Sequence, residues 1–150
     1  MKKNIISRII SIILILILVV GIIFIFLLPA AYDMFKSPHI ALFGNHSMIY
    51  RIAFYMCYLL CLLIIYKLIR LFNLVYKGNP FKKEVSNILK FNTVIFMMLF
   101  LIVIIKTIFI PTILSFAVAL VTFIASLSFY VLSEVINSAI EYKKEVDLTV

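Results

Sequence analysis

An all-α integral membrane protein, with four transmembrane helices in two antiparallel hairpins and a short amphipathic cytoplasmic elbow, is the fold class that this sequence predicts. Three observations predict it. Of 150 residues, 66% are hydrophobic and 13% charged, whereas a soluble domain is near half apolar and about a quarter charged. The apolar residues gather into runs long enough for four spans of about 20 residues each. The cations gather at the ends of those runs. This composition excludes a large independent soluble domain, and with it most enzyme classes.

The first span is expected over 9–31, where only Ser11 and Gly21 interrupt the apolar run. At 1.5 Å per residue it exceeds the roughly 30 Å hydrocarbon core. Lys2 and Lys3 before it, and Leu28-Pro29-Ala30-Ala31 at its end, also spell a signal peptide with a cleavage site. Signal cores run about 7 to 15 residues, so an uncleaved anchor is the expectation. The second span is expected over 49–75. Lys67 and Arg70 lie near one end of it, where long side chains snorkel to the headgroups.

Two further spans are expected over 91–110 and 112–132. Lys106 does not forbid the third: a central Lys costs about 2.5–3.5 kcal/mol, and each Leu, Ile, Phe or Val of 94–105 returns about 0.3–0.6. Pro111 disfavours helix at Ile110 and suits the first position of a new one, so it marks a tight turn.

With four spans, both termini share one side. Lys2, Lys3, Arg8, Lys67, Arg70, Lys77, Lys82, Lys83, Lys90, Lys143 and Lys144 fall there, 11 of the 14 cations, against Lys36, Arg51 and Lys106 opposite. The positive-inside rule then puts both termini, and the loop between spans two and three, in the cytoplasm. The net charge of +8 reports topology and contact with anionic lipid rather than direct nucleic-acid binding.

In that loop Gly78 suits a left-handed helix stop, Asn79 an N-cap and Pro80 a first helical position. Phe81, Val85, Ile88 and Leu89 then recur on one helical face, which predicts the amphipathic elbow at the inner membrane surface or a docking surface for a protein. The tail, 133–150, continues the fourth helix and carries Glu134, Glu141, Glu145 and Asp147. Its last six residues alternate polar and apolar, which suits a frayed end first and, as the alternative, a strand added to a partner's sheet.

The segment Gly78-Asn79-Pro80-Phe81-Lys82-Lys83-Glu84, with Leu89-Lys90 and the tail from Val131-Leu132-Ser133-Glu134 to Asp147-Leu148-Thr149-Val150, resembles domain-of-unknown-function family 2975, small four-span membrane proteins of bacteria. The resemblance implies a cytoplasmic (inner) membrane protein whose gene neighbour encodes a small helix-turn-helix regulator. It supplies no catalytic residue. It does suggest partner-binding positions at Asn79, Pro80, Phe81, Glu84, Glu134, Glu141, Glu145, Asp147 and Leu148, through which the chain would hold that regulator at the membrane. The rival reading is a small membrane transport or toxin-immunity protein. A homo-oligomer is compatible with either.

Other chemistry is weaker. Cys57 and Cys61 stand one helical turn apart with no His beside them, which reads as buried apolar thiols rather than a metal or disulfide site. Asp33, His39 and His46 match no metal-ligand spacing, and Asn45-His46-Ser47 is a sequon by spelling alone. No cofactor, metal or catalytic nucleophile is expected. Ser115, Ala119, Thr122, Ser126 and Ser133 put small and hydroxylated residues on one face of the fourth helix, which lets helices approach closely in lipid.

Overall fold

The computed structural model describes residues 5–30, 47–78, 80–109 and 111–149, and these are helical apart from short turns, with no strand among them. Helix α1 covers Ile5–Phe24 and continues through a tighter 3-10 turn, Ile25–Leu27, to Ala30. Helix α2 is Ser47–Tyr76, α3 is Lys83–Phe109 and α4 is Ile113–Thr149. All four are long and apolar enough to cross a membrane, the mark of a multi-pass membrane protein. Much of their apolar surface faces outward: Leu16 is 63% exposed, Val94 57% and Leu120 63%. In lipid such surface is solvated by acyl chains and needs no protein cover.

Successive helices pack on one another, and the α3–α4 seam is the most extensive. Along it Ser86 meets Ser133, Phe96 stacks on Phe129, Phe100 tilts against Phe123, and Lys106 meets Ser115. The partners fall on α4 as they rise on α3, so the two helices run antiparallel. The expected small-residue stripe lies in this seam: Ser115, Ala119, Thr122, Ser126 and Ser133 are all buried. Small side chains there allow the backbones to approach, and Ser126 Oγ donates to the Thr93 carbonyl at 3.0 Å.

Helix α1 lies on α2 in the same opposed sense. Ser7 Oγ donates to the Phe72 carbonyl at 2.7 Å, Ser11 Oγ to Asn73 Oδ1 at 2.8 Å, and Tyr58 Oη to the Gly21 carbonyl at 2.7 Å. Gly21 permits this approach, because a Cβ there would stand 2.6 Å from Leu62 Cδ2. Between α2 and α3 a small core forms from Ile64, Ile95 and Leu99, with Cys57, Leu60, Leu68 and Phe96 against it.

The structure corrects several expectations. The elbow is not a separate helix, since α3 is continuous from Lys83 into its apolar run. Of its expected apolar face, Val85, Ile88 and Leu89 do fall together but are buried within the bundle rather than laid on a membrane surface, and Phe81 is exposed in the turn before the helix. Pro80 and Phe81 occupy the turn before α3 instead of its first helical positions, because the fixed φ of Pro serves a turn equally well. Pro111 likewise precedes its helix, and Thr112 takes the N-cap, its hydroxyl accepting the Ser115 N–H at 3.3 Å.

The last described residues continue α4 as helix through Thr149 rather than forming a strand, because extending a helix costs far less than starting a new element. The cysteines are not both buried: Cys57 is half-buried and Cys61 exposed. The expectations placed on Lys2, Lys3, Asp33, Lys36, His39, Asn45, His46 and Asn79 lie outside the described residues.

Candidate functional site

Most of the proposed partner-binding residues that are described lie toward one end of the bundle, where the α2–α3 turn meets α4. Helix α2 stops there as its sequence dictates. Gly78 adopts φ 75° and its N–H donates to the Val75 carbonyl at 3.0 Å, while the Lys77 N–H reaches the Asn73 carbonyl at 3.1 Å. Only Gly takes that left-handed conformation without steric cost. Helix α3 then starts with Glu84 in its first turn, where the N-terminal dipole favours a carboxylate.

Two ion pairs tie this end together. Glu84 pairs with Arg70 of α2, and Lys90 pairs with Glu134 of α4 at 3.0 Å. Two of the acids read as partner contacts are therefore engaged within the chain. Their side chains are 41% and 48% exposed, so each pair contributes only about 0–1 kcal/mol to stability. Aromatic faces hold two other cations: Lys67 Nζ lies 4.3 Å from the Phe91 ring centroid, and the Arg8 guanidinium 5.9 Å from that of Tyr76.

Phe81 is 52% exposed beside the turn, and Pro80 is partly covered. Glu141 and Glu145 are exposed on α4, as are Tyr142 and Val146. They lie 7 and 11 residues beyond Glu134, or about 10 and 16 Å along the helix, so the turn and the far tail do not form one compact patch. Asp147 and Leu148 continue α4 in backbone. Between α2 and α3 opens a cleft of about 490 Å³, lined by Tyr66, Ile69, Arg70, Asn73, Lys77 and Glu84 among others.

At the opposite end Lys106 is held in the last turn of α3. Its Nζ donates to Ser115 Oγ at 2.5 Å and Thr112 Oγ1 at 3.3 Å, and lies 5.1 Å from the Tyr50 ring centroid. The C-terminal helix dipole favours a cation there. Sequence reasoning passed over Asn92, which is 0% exposed with neither amide atom hydrogen-bonded among the described residues. The signal was a lone amide at the start of the third apolar run.

No group of three or more His, Cys, Asp or Glu is placed to hold a metal ion among the described residues. Cys57 and Cys61 are free thiols. The arrangement offers cations, hydroxyls and exposed helix for binding. No family model, curated protein or solved structure matches the chain.

Proposed function

We propose that this chain is a non-catalytic protein of the bacterial cytoplasmic membrane that holds a small helix-turn-helix transcriptional regulator at the membrane surface through the projecting end of α4. Both termini and the α2–α3 turn lie in the cytoplasm, and the four spans form two antiparallel hairpins. The distribution of cations supports that orientation. The observation that carries the reading is the length of α4: 37 residues make about 55 Å of helix, against a hydrocarbon core of roughly 30 Å.

The excess presents Glu141, Tyr142, Glu145 and Val146, all exposed, to whatever occupies the aqueous side, with Asp147 and Leu148 in the next turn. Its three acids, interleaved with Lys143 and Lys144, leave this end net negative, which complements the basic surface that a regulator uses on DNA. Holding the regulator there would compete with its operator. Pro80 and Phe81 border the same end, whereas Glu84 and Glu134 brace it. The resemblance to family 2975 supplies the class of partner.

The test deletes 141–150 and follows a tagged regulator from the neighbouring gene by membrane fractionation. The regulator moves to the soluble fraction while the truncated protein stays in the membrane. A membrane-bound regulator with the tail removed refutes the reading.

A further inference from the structure

The cleft between α2 and α3 is built from one helical stripe. Tyr66, Ile69, Arg70, Asn73, Leu74 and Lys77 follow one another at helical spacing along α2, and Glu84 of α3 closes the open side through its pair with Arg70. A guanidinium, an ammonium, the Asn73 amide and the Tyr66 hydroxyl line it beside one carboxylate.

Asn73 is oriented from a third helix. The Ser11 hydroxyl donates to its Oδ1 at 2.8 Å, and the residue lines the cleft. Ile69 and Leu74 add apolar lining where α2 emerges from its span. A cleft lined by two cations and an amide, with apolar walls beside them, matches a phosphate attached to hydrocarbon. Basic pockets between transmembrane helices take such headgroups, and Arg forms two parallel hydrogen bonds to phosphate oxygens.

We propose that this cleft is a phosphate site, occupied by the headgroup of an anionic phospholipid, in which Arg70, Lys77 and the Asn73 amide hold the phosphate and Glu84 competes with it for Arg70. An arriving phosphate takes over hydrogens that Glu84 now accepts, so headgroup binding loosens the link between α2 and the start of α3. The site does not depend on the regulator reading, nor on which leaflet this end of the bundle occupies.

The test uses the purified full chain, stripped of lipid in neutral detergent. It is titrated with phosphatidylglycerol, phosphatidylcholine and inorganic phosphate, and bound molecules are counted by native mass spectrometry. Phosphatidylglycerol binds about 10-fold more tightly than phosphatidylcholine, which offers the same phosphate but carries a quaternary ammonium that the two cations repel. R70Q/K77Q abolishes that preference, whereas K143Q/K144Q, which removes equal charge from exposed positions on α4, keeps it.

E84Q raises affinity for phosphatidylglycerol several-fold by removing the competing carboxylate. If inorganic phosphate displaces the lipid with the same dependence on Arg70 and Lys77, the phosphate site stands with a soluble anion as its occupant. Failure to displace assigns it to the lipid. Equal binding of the two lipids, equal losses in the two double variants, or weaker binding in E84Q overturns the proposal. None of these outcomes touches the regulator, so this site and the α4 docking surface fail separately.

Discussion

Replacing Asn92 by Leu removes a buried amide whose oxygen and nitrogen both lack a hydrogen-bond partner among the described residues. Burying an unsatisfied polar group costs about 1–3 kcal/mol. Leu also gains a few tenths of a kcal/mol in helix propensity. Against these, a branched apolar side chain in a fully covered site brings a packing mismatch that stays under about 1.5 kcal/mol for swaps of similar volume.

In membranes the apparent value of polar contacts is smaller, near 0.6 kcal/mol on average, because the unfolded chain finds partners too. The net expectation is stabilisation of about 1 kcal/mol, roughly a fivefold change in the folded-to-unfolded ratio. Reversible SDS titration in mixed micelles, followed by circular dichroism, reads it directly. Destabilisation of more than about 1 kcal/mol would show that Asn92 makes a favourable polar interaction and would refute the reasoning.

Gly21 gives a prediction that depends on its neighbour. Gly21→Ala places a Cβ 2.6 Å from Leu62 Cδ2, the end of a flexible side chain that must turn aside, so only part of the roughly 1 kcal/mol gained in helix propensity is realised. In a Leu62→Ala background nothing has to shift and the same substitution stabilises by the full amount, as paired unfolding titrations will show. Ser115→Ala removes an acceptor from Lys106 and costs about 1–2 kcal/mol, measured in the same assay. An unchanged midpoint would mean that Thr112 and Tyr50 suffice to hold the ammonium.

The spans were legible because lipid imposes one rule on every exposed side chain, and runs of Ile, Leu and Phe satisfy it in any orientation. For the same reason hydropathy does not say which face of α2 packs inward, and Cys61 is exposed where a buried thiol was expected. The stripe from Ser115 to Ser133 was legible because small residues are the means of close approach in lipid.

The apolar face of Val85, Ile88 and Leu89 was legible too, but not its neighbour, since a bilayer surface and a second helix ask for the same periodicity. Lys106 could be placed near a span end from position alone. Its partners could not, because Tyr50 lies 56 residues earlier and meets it only when α2 packs beside α3. Asn92 escaped notice because its burial depends on how the helices pack, whereas its sequence context is only a single amide in a long apolar run.

The central claim is that the long end of α4 stands in the cytoplasm, where it can meet a soluble regulator. Paired reporters fused after Val150 test it most directly, one fluorescent only in the cytoplasm and the other, alkaline phosphatase, active only after export. The account predicts a fluorescent fusion and a silent phosphatase. An active phosphatase with a dark fluorescent partner would contradict it, putting α4 on the far side of the membrane from any transcriptional regulator.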